Sequence, residues 1–136
     1  MNRKEQRLLA IWAEKCAKHV LKYSKDKRPG IALKVLKKWI KDGIFSMKII
    51  RKAALDSHAA ARKYSEDSPA RFAARAAGQA VATAHVPEHA FGASYYALKI
   101  YENDNAKLFK EYSWQQKNLP KKPEKEMEIM DDKAPA

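Results

Sequence analysis

Apolar residues recur along most of the chain at intervals of three and four, which is the spacing of an amphipathic α-helix. In the first such segment the predicted apolar stripe consists of Leu8, Trp12, Cys16, Val20 and Tyr23, and the lysines lie off it. Repeated along the chain, the pattern predicts six helices: five at about residues 4–24, 29–42, 46–64, 87–103 and 105–118, and a fourth in chain order that starts at Ser68 and Pro69.

Residues that start or stop helices separate these segments. Gly43 suits the left-handed position that ends a helix, and Ser46 suits the N-cap of the next. Ser68 and Pro69 form an N-cap followed by a first-turn proline, and Pro87 interrupts the helical pattern further on. The helix that begins at Pro69 is so rich in alanine that we expect it to be central and covered on several sides.

Inward faces are predicted for the later helices as well. The third helix is expected to bury Met47, Ile50, Ala54, His58 and Ala61, and the sixth to use Leu108, Phe109, Tyr112 and Gln116. Glycine inside a helix costs about 0.5–1 kcal/mol relative to alanine. Gly78 and Gly92 therefore predict close backbone approach between the fourth and fifth helices and their neighbours, and a bulky residue at Gly92 should be strongly destabilising.

Composition agrees with an all-α protein, because the chain has 23 alanines and only 4 glycines. This composition excludes a β-sandwich, a Rossmann domain and a P-loop NTPase, because each of them needs β-strands. We expect one compact bundle of about six helices over residues 1–119 and a disordered charged tail over 120–136. No run approaches the length of a membrane span, so no membrane partner and a cytoplasmic location are expected.

Positive charge is concentrated in the first half of the chain. Residues 1–65 hold 18 Lys and Arg against 5 Asp and Glu, whereas residues 66–119 hold 6 of each. This asymmetry indicates either a solvated lysine-rich surface or an anionic partner, such as nucleic acid bound weakly and without sequence preference.

Three histidines raise the question of a metal-dependent hydrolase. His85 and His89 are four residues apart and His58 lies on another predicted helix, but Pro87 separates the pair. We favour a structural alternative, in which the imidazoles are partly buried and bind the backbone carbonyls that Pro87 leaves without a partner. No cofactor is therefore expected. Cys16 is the single cysteine, so it lacks a disulfide partner. We do not expect Cys16 and His19 to form a catalytic pair, because Cys16 lies on the apolar stripe.

The turn between the third and fourth helices is rich in arginine. Arg62, Arg71 and Arg75 surround it, and they could hold an anion or pair with Glu66, Asp67 or carboxylates elsewhere. We favour the pairing, because the acidic residues lie close by in the sequence.

A specific pattern runs from Ala73 to Lys99, with further matching segments at residues 7–13, around Trp39 and at residues 111–120. Through these segments, over about residues 7–120, the chain resembles a bacterial family of immunity proteins from polymorphic toxin systems. The matching positions that are not merely apolar are Trp12, His58, Arg62, Arg75, Gly78, Gln79, His85, His89, Tyr96 and Trp114.

The resemblance implies an all-helical protein that neutralises a cognate toxin by binding it, and it implies no catalytic residue. The predicted partner is therefore a toxin protein. The candidate polar cluster, functional or structural, consists of His58, Arg62, Arg75, Gln79, His85 and His89.

Overall fold

The computed structural model describes residues 1–121 of the chain. It contains six α-helices: α1 Arg3–Val20, α2 Arg28–Asp42, α3 Met47–Ala61, α4 Pro69–Ala82, α5 His89–Lys99 and α6 Asn105–Asn118. A short 3₁₀ turn, Leu21–Tyr23, follows α1. The all-α bundle predicted from the sequence is confirmed, and the predicted tail lies outside the described residues apart from Pro120 and Lys121.

The predicted helix ends are confirmed at several positions. Gly43 has φ of 69° and ends α2, and the Ser46 side chain accepts a hydrogen bond from the backbone N–H of Ile49. Ser68 accepts from the N–H of Ala70 at the start of α4. Such side chains stabilise a helix because its first N–H groups have no partner within the helix.

Helix α4 lies at the centre of the bundle and packs against α1, α2, α3 and α5. Alanine dominates its buried positions, which allows the neighbouring helices to approach closely. The larger core side chains come mainly from α1 and α2, among them Leu9, Trp12, Val20, Leu36 and Trp39. The central position of α4 is thus confirmed.

Some predicted inward positions are wrong. Leu8 is 38% exposed while Leu9 is fully buried, and Met47 is 40% exposed. Helix α6 departs furthest, because Phe109 and Tyr112 are 72% and 49% exposed and Gln116 is also exposed. It buries Glu111 and Gln115 instead.

No helix within residues 1–121 is both long enough and apolar enough to span a bilayer.

Candidate functional site

Two side chains of α4 organise the predicted polar cluster. Arg75 and Gln79 are one helical turn apart, so they project from the same face of α4. Arg75 Nη1 lies 2.9 Å from His58 Nδ1 on α3, and Gln79 Oε1 lies 2.7 Å from His89 Nδ1 at the start of α5. The cluster thereby links three helices through two hydrogen-bonded pairs.

The hydrogen-bond partners assign the proton positions of both imidazoles. A guanidinium only donates, so His58 Nδ1 accepts from Arg75 and the neutral ring carries its proton on Nε2. The amide oxygen of Gln79 only accepts, so His89 Nδ1 donates to it. The two histidines therefore adopt opposite neutral tautomers.

Gly78 and Gly92 provide the space that these pairs occupy. A Cβ atom on Gly78 would lie 2.7 Å from the His58 ring, and a Cβ atom on Gly92 would lie 2.6 Å from Gln79 Oε1. A side chain at either glycine would therefore overlap a neighbouring side chain unless that neighbour moved. The prediction of backbone against backbone is wrong, because polar side chains fill the space.

Burial and positive neighbours hold His58 neutral. Desolvation, followed by the charges of Arg75, Arg62 and His89, lowers the pKa of His58 to about 4. Burial also lowers the pKa of His89, assisted by the charge of His85. Both effects disfavour the charged imidazolium, because a partly buried cation next to other cations loses solvation and is repelled.

The low pKa of His58 makes folding stability depend on pH. The imidazole of His58 has its ordinary pKa of 6.5 in the unfolded chain and a pKa of about 4 in the folded chain. The stabilisation that the neutral imidazole gives the folded state is therefore complete above pH 6.5 and is lost as the pH falls towards 4. We expect urea melts to show lower stability at about pH 5 than at about pH 7. A His58→Gln variant should lose less between those pH values, and an undiminished loss would contradict this assignment.

Arg62 and His85 lie at the edge of the cluster. Arg62 caps the C-terminus of α3 and affects His58 through its charge. The exposed His85 stacks on Phe45 with ring centroids 6.2 Å apart. The predicted pairing of Arg62, Arg71 and Arg75 with Glu66, Asp67 or other carboxylates is wrong within residues 1–121, because none of the three arginines forms an ion pair there.

The arrangement does not support the metal-site hypothesis. Within residues 1–121 no three His, Cys, Asp or Glu side chains are placed to hold a metal ion. Arg75 already engages His58, and Gln79 engages His89. The prediction that imidazoles bind the carbonyls before Pro87 is also wrong, because Gln6 Nε2 donates to Thr83 O and Ala84 O, both at 3.0 Å.

Cys16 is fully buried in the core. Burial, reinforced by the nearby charge of Glu111, raises the pKa of its thiol far above the ordinary range. His19 lies 2.9 Å from Glu111 Oε1 instead of contacting the thiol. The interpretation of Cys16 as an unreactive core residue agrees with this geometry.

A second polar group, between α1 and α6, was not predicted. Glu111 and Gln115 are 8% and 1% exposed, and Gln115 Nε2 donates to Glu111 Oε2 at 3.0 Å. His19, stacked edge-on against Trp114 at 4.3 Å, is the other partner of Glu111. His19, Glu111 and Trp114 border a surface pocket of about 410 Å³ whose rim carries Lys22, Lys107 and Lys110. The lysines of this rim favour anionic groups. The carboxylate of Glu111 already binds His19 and Gln115.

A comparison with protein-family models matches residues 1–122 to one family, described as "Imm-5 like putative immunity protein". The matched range includes all six helices and both polar groups. A search of curated proteins and a search of solved structures each found no match.

Proposed function

The chain belongs to the Imm-5-like family of immunity proteins, and from this premise we propose that it neutralises one cognate bacterial toxin by stoichiometric binding. The observation that carries the proposal is the extent of the match, which covers the whole helical bundle rather than a single motif. We propose that this inhibition takes place in the cytoplasm. Fractionation of cells that express the chain tests this location.

Binding is favoured over chemistry by the way the polar groups are used. The imidazoles of His58, His89 and His19 each bind another protein side chain, and the thiol of Cys16 is buried. These contacts join helices to one another, which makes the bundle a stable platform for a partner protein.

A titration distinguishes binding from catalytic neutralisation. Purified chain is added to a fixed amount of the toxin encoded next to its gene, and residual toxin activity is measured. We expect inhibition to rise linearly and to reach a plateau at one molar equivalent, and the two proteins to co-elute in size-exclusion chromatography. Full toxin activity in excess chain would refute the proposal, and complete protection at a small fraction of an equivalent would show an enzyme instead.

Nucleic-acid association remains a second candidate, because α2 exposes Lys34, Lys37, Lys38 and Lys41. Such binding depends on displaced counterions, so its affinity should fall steeply with salt and depend little on sequence. Gel-shift titrations at two salt concentrations test it. Absence of a shift at low salt would exclude this role.

A further inference from the structure

The corner between α2 and α3 exposes an unusual group of apolar side chains. Ile44 and Ile49 are 74% and 56% exposed, and Phe45 and Met47 are 41% and 40% exposed. Single exposed apolar residues are ordinary, but contiguous apolar patches on a protein surface mark interaction sites. We call these four residues the apolar corner.

A groove of about 270 Å³ lies beside the apolar corner. Trp39 and Ile50 form part of its wall together with Ile44 and Ile49. The indole Nε1 of Trp39 is buried and lacks an acceptor within residues 1–121. A buried donor without an acceptor is costly in the free protein. A groove with apolar walls next to projecting isoleucines resembles the anchor pockets at the centre of protein interfaces.

Positive charge surrounds this apolar centre. Lys38 lines the groove, Lys41 follows one turn later on α2, and Lys48 lies in the first turn of α3. All three lysines are exposed. The Asp42 side chain, which also borders the groove, accepts a hydrogen bond from the backbone N–H of Ile44. An apolar centre with a polar rim is the usual organisation of a protein interface.

We propose that the apolar corner and its lysine rim are the surface that docks on the toxin, at a site where apolar toxin side chains are surrounded by Asp and Glu. This inference rests on the proposed function and adds the contact face. It also gives the excess positive charge of the first half a role, because complementary charge speeds association and excludes wrong partners.

One pair of substitutions tests the apolar contact. Ile44→Asp adds a charge at a side chain that is 74% exposed, and Phe109→Asp does the same at one that is 72% exposed, on α6. Both variants should keep the wild-type melting temperature, because neither side chain belongs to the core. We expect Ile44→Asp to raise the toxin Kd by about tenfold or more and Phe109→Asp to change it by less than about twofold.

A second pair tests the charged rim. Lys38→Glu with Lys48→Glu should slow association with the toxin and weaken its dependence on salt. The matched reversal of Lys107 and Lys110, on α6, should leave the association rate near that of the wild type.

The outcomes separate this inference from the proposed function. If wild-type chain does not bind the toxin, the proposed function fails. If wild-type chain binds but Ile44→Asp and Phe109→Asp bind equally well, the docking face lies elsewhere and only this inference fails. Sedimentation that shows a dimer broken by Ile44→Asp, with toxin binding unchanged, would also overturn it in favour of a second copy of the chain.

Discussion

Replacing Gly78 by alanine is expected to destabilise the protein by about 1–2 kcal/mol, because the new methyl group overpacks a filled site. The same replacement at Gly30 is expected to stabilise it by about 0.5–1 kcal/mol. Gly30 lies in the first turn of α2 and Gly78 in the interior of α4, and alanine has the higher helix propensity at both positions. The difference in sign arises from what surrounds them.

The free space at the two glycines differs completely. A Cβ atom on Gly30 would have no atom within 4 Å, whereas one on Gly78 would lie 2.7 Å from the ring of His58. That ring is held by its hydrogen bond from Arg75, so moving it breaks the pair. Overpacking costs about 1–3 kcal/mol and a lost hydrogen bond about 0.5–1.5 kcal/mol, which together exceed the helix-propensity gain of about 1 kcal/mol.

Urea denaturation of a double-mutant cycle measures this effect. In a His58→Ala background the ring is absent, so Gly78→Ala should become neutral or stabilising. A Gly78→Ala variant that is as destabilising without the ring as with it would show that the cost arises elsewhere. Destabilisation of the protein by Gly30→Ala would contradict the open space around a Cβ atom at that position.

Local chemistry explains why the helix ends were predictable. A serine N-cap, a first-turn proline and a left-handed glycine act within one helical turn, so Ser46, Ser68 and Gly43 could be interpreted without knowing the fold. The central position of α4 followed from its alanine content, since only small side chains allow neighbours on several sides.

The inward face of a helix depends on its neighbours, and here the sequence was a weaker guide. On α1 the predicted stripe used steps of four residues, which exceed the 3.6 residues of a turn. Three such steps, from Val20 back to Leu8, move the predicted stripe around the helix axis by about one third of a turn. Leu9 is therefore buried in place of Leu8. On α6, apolar and polar residues occupy several faces, and the periodicity does not select one.

Four of the six residues of the candidate cluster contact one another in pairs, and the sequence did not predict which residues pair. The resemblance singled out His58, Arg75, Gln79 and His89, and the structure joins them in two pairs. Their partners follow from the packing of α3 and α5 against α4, which residue spacing alone does not encode. The pair of Glu111 and Gln115 was missed because buried polar residues resemble surface residues until their partners are known.

Replacing Gln115 by leucine is expected to destabilise the protein by about 1–3 kcal/mol, because it removes a buried donor to a carboxylate. Gln115 is 1% exposed, and its Nε2 donates to Glu111 Oε2 at 3.0 Å and to Ser94 O at 3.2 Å. The exposed neighbour Gln116 offers a matched control. Gln116→Leu should change stability by less than about 0.5 kcal/mol.

The predicted coupling with Glu111 makes this test specific. Leucine at both positions removes donor and acceptor together, which is much less costly than leaving a buried carboxylate short of a partner. In urea melts, Gln115→Leu should therefore cost less in a Glu111→Leu background than alone. Equal costs in the two backgrounds would mean that Gln115 stabilises α6 by its packing and its bond to Ser94, and that His19 alone suffices to hold the carboxylate of Glu111.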